Sequence, residues 1–139
     1  MAGFVEREHT ADWELEAWAD DLTGLLVQAA RGMYALSGAR LEPGAVEIRS
    51  FSIRAADPEG LLVRFLNELL YHAQQSNLGF TQFTLTLNQS EAVGPMELQV
   101  TLEGHRLISV DKEIKAVTYH NLAVRQEAGE LHVSVVFDV

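Results

Sequence analysis

The chain has 139 residues, with 10 Lys plus Arg against 20 Asp plus Glu, a formal charge of −10, and no cysteine. That length suits one domain, 1–139, able to bury a core without staples, and the missing thiols exclude disulfide frameworks, cysteine catalysis and cysteine zinc sites. The acidic balance repels phosphate and favours cations or basic protein surfaces, so no strong direct nucleic-acid binding is expected.

The start, "MAGFVEREHTADWELEAW", has neither a basic n-region nor an apolar h-region, and no window approaches the roughly 18 apolar residues of a membrane span. A soluble cytoplasmic protein with no membrane partner is the expectation. Trp13 to Ala17 alternates at period two, as a half-buried strand does. The period then changes: Leu22, Leu25, Leu26, Ala29, Ala30 and Met33 recur at helical spacing behind Asp20-Asp21, which offer an N-cap, and this helix ends near Gly38.

Val46 to Ala55 reads as a strand with room for an irregularity at Ser50-Phe51. "DPEG" opens a second helix, with Asp57 as cap, Pro58 at the first helical position and Glu59 in the first turn. Its stripe Leu61, Leu62, Phe65, Leu66, Leu69, Leu70 and Ala73 is strongly amphipathic and runs to about Asn77-Leu78-Gly79. Both stripes are read as core, and Trp18, Tyr71 and Tyr119 as packing residues.

From Phe80 the chain alternates as strands: Phe83, Leu85 and Leu87, then Leu98, Val100 and Leu102. "EGHR", Glu103 to Arg106, reads as a turn. Ala116 to Arg125 and Leu131 to Phe137 flank "QEAGE", a hairpin connection whose glycine can take positive φ. The fold class is therefore α+β: a single domain with two amphipathic helices packed on a mostly antiparallel sheet of about six strands.

Dinucleotide, P-loop and H-E-x-x-H motifs are absent. None of the five histidines pairs at the i, i+4 spacing that presents two imidazoles to one metal. His132, Ser134 and Asp138 share one strand face, which is the wrong arrangement for a triad whose members converge from different elements.

Three stretches exceed what folding requires: "EHTAD" (Glu8 to Asp12), "EIKAVTYH" (Glu113 to His120) and the closing "FDV". Read from the residues alone, Asp12 is an Asx-turn or cap residue or a cation ligand. Asp138, beside the carboxylate at Val139, is either a solvated chain end or half of a cation site. Lys115 is a solvated surface cation or the partner of a weak salt bridge with Glu113.

With His9-Thr10-Ala11-Asp12, "LLVRFLNELLY" (Leu61 to Tyr71), Lys115-Ala116-Val117-Thr118-Tyr119-His120 and Asp138-Val139 in this order, the chain resembles the archease family over nearly its whole length. The resemblance implies an archease-like fold and a divalent-metal site, calcium above all with magnesium or manganese as alternatives. Its ligands would be Asp12, Asp138 and Val139, the last through its terminal carboxylate or backbone oxygen. Hard cations of this kind take several oxygen ligands. Lys115 would be functional, and His9 would either orient Asp12 or be a structural histidine. Trp13 departs from the smaller apolar residue expected after the H-T-A-D motif, which bears on the packing of the site's mouth.

The resemblance further implies an activity: not an enzyme, but an activator of the RtcB-type GTP-dependent RNA ligase of tRNA splicing. It would promote guanylylation of the ligase and so its multiple turnover. An acidic accessory suits docking on a basic RNA-binding ligase. The alternatives are a general chaperone or modulator of nucleic-acid-modifying enzymes, and a metal-binding domain without a catalytic partner.

Overall fold

The computed structural model describes residues 1–8, 12–89 and 94–139, with the side chains of Arg7, Glu8 and Asp12 outside the description. Thr10 and Ala11 of the H-T-A-D motif also lie outside it, as does His9. The described elements run β1 (Gly3–Glu8), β2 (Asp12–Ala19), α1 (Leu22–Ser37), β3 (Arg40–Leu41), β4 (Glu47–Ala55), α2 (Pro58–Ser76), β5 (Leu78–Gln89), β6 (Met96–Ser109), β7 (Ala116–Thr118), β8 (Arg125–Glu127) and β9 (Glu130–Asp138).

Local chemistry sets the helix ends. Asp21 accepts the Gly24 N–H at 2.8 Å and Asp57 accepts the Gly60 N–H at 2.7 Å, each satisfying one of the donors a helix start leaves orphaned. Pro58 occupies the first turn of α2, where its missing N–H costs nothing. Gly38 closes α1 at φ 68° and Asn77 closes α2 at φ 51°, both in the left-handed region that turns the chain out of a helix.

The strands form two sheets rather than one, and every described pairing is antiparallel. In the first, β9 is central: β2 lies along one edge with β1 outside it, and β7 and β8 also pair with β9. In the second, β6 pairs with β4 and β5 over a shared stretch from Met96 to Gly104, and with β3 at its far end. Alternation delivers Leu15, Ala17, Ala19, Val133, Val135 and Phe137 from the first sheet, and Leu98, Val100 and Leu102 from the second, into one core. The helices bury their stripes there, α1 against β1, β2, β9 and β5, and α2 against β4, β5, β6 and β7.

Three expectations are corrected. "EGHR" is no turn, because β6 runs through it to Ser109. A Cβ on Gly104 would strike the Gly79 carbonyl oxygen and Phe80, so this glycine permits two backbones to approach closely. The irregularity is absent at Ser50-Phe51, where β4 keeps an unbroken register with β6. It falls in β5 between Phe80 and Gln82, opposite Gly104. The segment 116–125 is not one strand, for β7 stops at Thr118 and a turn with Asn121 at φ 51° precedes β8.

The "QEAGE" hairpin is as expected, with positive φ at both Ala128 (52°) and Gly129 (83°), the pairing that matches the twist of adjoining strands. Among the described residues no helix is long and apolar enough to cross a membrane.

Candidate metal and partner site

The C-terminal end of β9 gathers three of the motif stretches. Position 12, at the start of β2, stands opposite Asp138 in the β2–β9 register, and Ala116 stands opposite Asp138 on the β7 side. The Lys115 N–H donates to the Asp138 carbonyl at 2.8 Å. Asp138 is thus held by backbone pairing from both neighbouring strands. Residues at the very start of the motif set and at its very end meet because β9 is central.

Burial changes sharply over the last residues. Phe137 is wholly buried, the Asp138 side chain is exposed, and Val139 packs half-buried against the core. The apolar neighbours fix the backbone, so the exposed carboxylate needs no special compensation, since water solvates it. Lys115 is exposed as well.

β7 is short, and its position depends on the helix beneath it. The Val117 N–H donates to Asn67 Oδ1 of α2 at 3.1 Å, and the Val124 N–H donates to Glu59 Oε2 at 2.7 Å. Side chains on α2 thereby complete the backbone hydrogen bonding of a segment that has few strand partners.

Trp13, in register with Phe137, carries the Lys112 ammonium 4.3 Å from its ring centroid. This is a cation–π contact worth roughly 0.5–1 kcal/mol where partly solvated. The departure at Trp13 therefore brings a second lysine beside the strand end, and the sequence reading missed it. In the sequence Lys112 is one cation in the run Asp111-Lys112-Glu113, with no local signal of its own. Asn67 was missed too, as an ordinary polar position on an amphipathic helix.

Of the expected site residues, the backbone positions of Asp12, Asp138 and Lys115 are brought together and Val139 follows directly. His9 lies outside the described residues, as does the Asp12 side chain. Among the described residues no three His, Asp or Glu side chains converge. The available donor set is hard oxygen, suited to a cation whose shell is completed by water or by a partner's groups.

Two aromatic expectations are corrected: Tyr71 is 55% exposed and Tyr119 60% exposed, so neither is a packing residue. Tyr71 follows the apolar position Leu70 and projects from the solvent side of α2. Trp18 is half-buried and stacks on His132 with centroids 6.3 Å apart. Tyr34 is the one described side chain whose ionisation is strongly perturbed. Burial pushes its phenol well above the ordinary tyrosine range, while its oxygen accepts the Phe80 N–H at 3.2 Å.

Residues 4–139 match the sequence profile of the Archease protein family (MTH1598/TM1083). Similar relatives include the protein archease of Methanosarcina mazei, 29% identical with 95% of this chain and 92% of that one covered, and that of Methanothermobacter thermautotrophicus, 27% identical over the full length of both. Among solved structures, Methanobacterium thermoautotrophicum protein 1598 superposes with a TM-score of 0.81 at 25% identity, covering 99% of each chain. The Thermotoga maritima archease TM1083, described as a possible chaperone, gives 0.69 at 24% identity, covering 96% of this chain and 94% of its own. With the profile spanning nearly the whole chain, this protein belongs to the archease family.

Proposed function

We propose that this protein is a non-enzymatic activator of an RtcB-type, GTP-dependent RNA ligase of tRNA splicing, acting in the cytoplasm through an acidic metal site at the end of β9. The observation that carries the reading is the register of Asp12 with Asp138, together with the Lys115 N–H to Asp138 bond that draws the third motif to the same point. Asp12, Asp138 and a carboxylate or carbonyl oxygen of Val139 would hold the cation, calcium first and magnesium or manganese as alternatives. A bound divalent ion supplies positive charge to an acidic rim and a coordination position open to a partner's oxygen. Lys115, and His9 if it orients Asp12, would align the partner's carboxylate or nucleotide phosphate.

The test is RNA ligation by the cognate ligase under single- and multiple-turnover conditions, with the wild type, Asp12→Ala, Lys115→Ala and a version extended by several residues after Val139. All three changes should reduce multiple turnover and spare folding. Unchanged turnover in all three sinks the site. Calorimetric calcium titration of Asp138→Asn gives a readout independent of the ligase, with binding lost as the expected result.

A second reading, a general chaperone of nucleic-acid-modifying enzymes, is supported by the description of the Thermotoga relative as a possible chaperone and by apolar side chains left in solvent, Ile48 and Ile108 among them. Light scattering of an unrelated aggregating client separates the two. Suppression that survives both Asp12→Ala and Asp138→Ala belongs to the apolar surface.

A further inference from the structure

A second surface lies away from the acidic strand end, between β4 and α2. Among the described residues β4 pairs with β6 alone, so it closes the second sheet with one row of backbone groups facing outward. Beside it runs a groove of about 630 Å³ lined by Ser52, Ile53 and Arg54 of β4 and by Arg64, Asn67, Glu68 and Tyr71 of α2.

The groove is rich in donors, in a chain whose net charge is −10. Arg64 is exposed and has no hydrogen bond or ion pair among the described residues. Arg54 meets Glu97 through Nε at 3.2 Å, a cross-strand pair on the face of β4 turned away from α2. Asn67 spends its oxygen on the Val117 N–H, leaving its amide nitrogen as a donor. The Tyr71 phenol is exposed. On the acceptor side, Glu68 leans toward His72 at 3.7 Å.

We infer that this groove binds an extended acidic segment of a partner protein, which adds to the open edge of β4 and places a carboxylate against Arg64. Strand addition supplies main-chain affinity, and the side-chain donors supply selectivity. Side chains on one face of an extended chain recur every ~7 Å, so a carboxylate on the helix-facing side can be set at Arg64, while a nucleic acid has no peptide backbone to pair with the β4 edge. Tyr and Arg are also enriched among the few residues that carry most of an interface's binding energy. This inference is independent of the acidic site, and either can fail alone.

The experiment uses the full chain and a labelled peptide of roughly ten residues alternating valine and glutamate, followed by fluorescence anisotropy and by amide exchange. The peptide should bind, and binding should weaken as salt rises. Arg64→Glu should reduce affinity about tenfold or more, Tyr71→Ala should reduce it less, and Arg31→Glu on α1 should leave it unchanged. Amides of β4 should become protected in the complex. No binding, equal binding of a valine–lysine peptide, preference for an oligothymidylate, or an unaffected Arg64→Glu would each overturn the assignment. Binding without protection of β4 would overturn strand addition.

Discussion

The two sheets share a plan and use it differently. Each has a long strand paired along both edges, β9 in the first and β6 in the second. β6 runs 14 residues with 12-residue β5 beside it, and it stays paired from Met96 to Arg106. β9 is flanked by three-residue fragments, β7 and β8, with a turn between them. A continuous ladder satisfies its own backbone. An interrupted one must borrow acceptors, as β7 does from Asn67. The second sheet is thus a scaffold, and the first trades ladder length for the convergence of separate chain segments at Asp138.

Breaking that contrast begins with the core both sheets share. Phe137→Ala removes a wholly buried ring one residue before the candidate site. It should cost about 3–5 kcal/mol of unfolding free energy in urea. Gly104→Ala tests the scaffold alone. Because the new methyl meets a backbone oxygen that cannot rotate away, destabilisation of about 3 kcal/mol is expected, at the upper end of overpacking costs, with amide exchange at Lys115 in the folded fraction unchanged.

Asn67→Ala sharpens the comparison on the other side. It leaves the Val117 N–H without its acceptor, at a cost of about 1–2 kcal/mol. Exchange at Val117 and Lys115 should accelerate while Leu102 stays protected, which a uniformly stabilised fold would not show. Tyr34→Phe should have the smallest effect near neutrality, about 1 kcal/mol for the lost Phe80 hydrogen bond. Its signature is in alkali. The folded-state pKa is raised, so the neutral phenol's contribution is complete below the unfolded value of about 10 and is lost as pH climbs from there toward the folded value. The wild type should therefore lose stability above that point more steeply than Tyr34→Phe.

Much of the fold was legible because its signals are local. Asp21, Gly38, Asp57 and Pro58 act within a single turn, and period-two alternation marks β2, β5, β6 and β9 by the faces they bury. What misled was chemistry decided at a distance. Gly104 resembles a turn glycine until Gly79 and Phe80 are seen pressed against it. Tyr71 and Tyr119 resemble core residues until the neighbouring apolar positions prove to have filled the interior.

At the site, the residue types in the motifs could be read, but not the register that sets position 12 against 138, because antiparallel pairing between remote segments has no local signature. Lys112 and Asn67 were invisible for the same reason. Each gains meaning only from a partner far off in sequence, Trp13 for one and Val117 for the other.

The pairing of β2 with β9 also has a consequence in time. Contacts between remote segments pay their loop-closure entropy before any reward, and few contacts in this chain span more of it than Asp12 with Asp138. During synthesis both helices and the whole second sheet can assemble while β2 has β1 as its one strand partner. The site is then among the last features to form, and a chain displays its acidic pair only after β9 has emerged and docked.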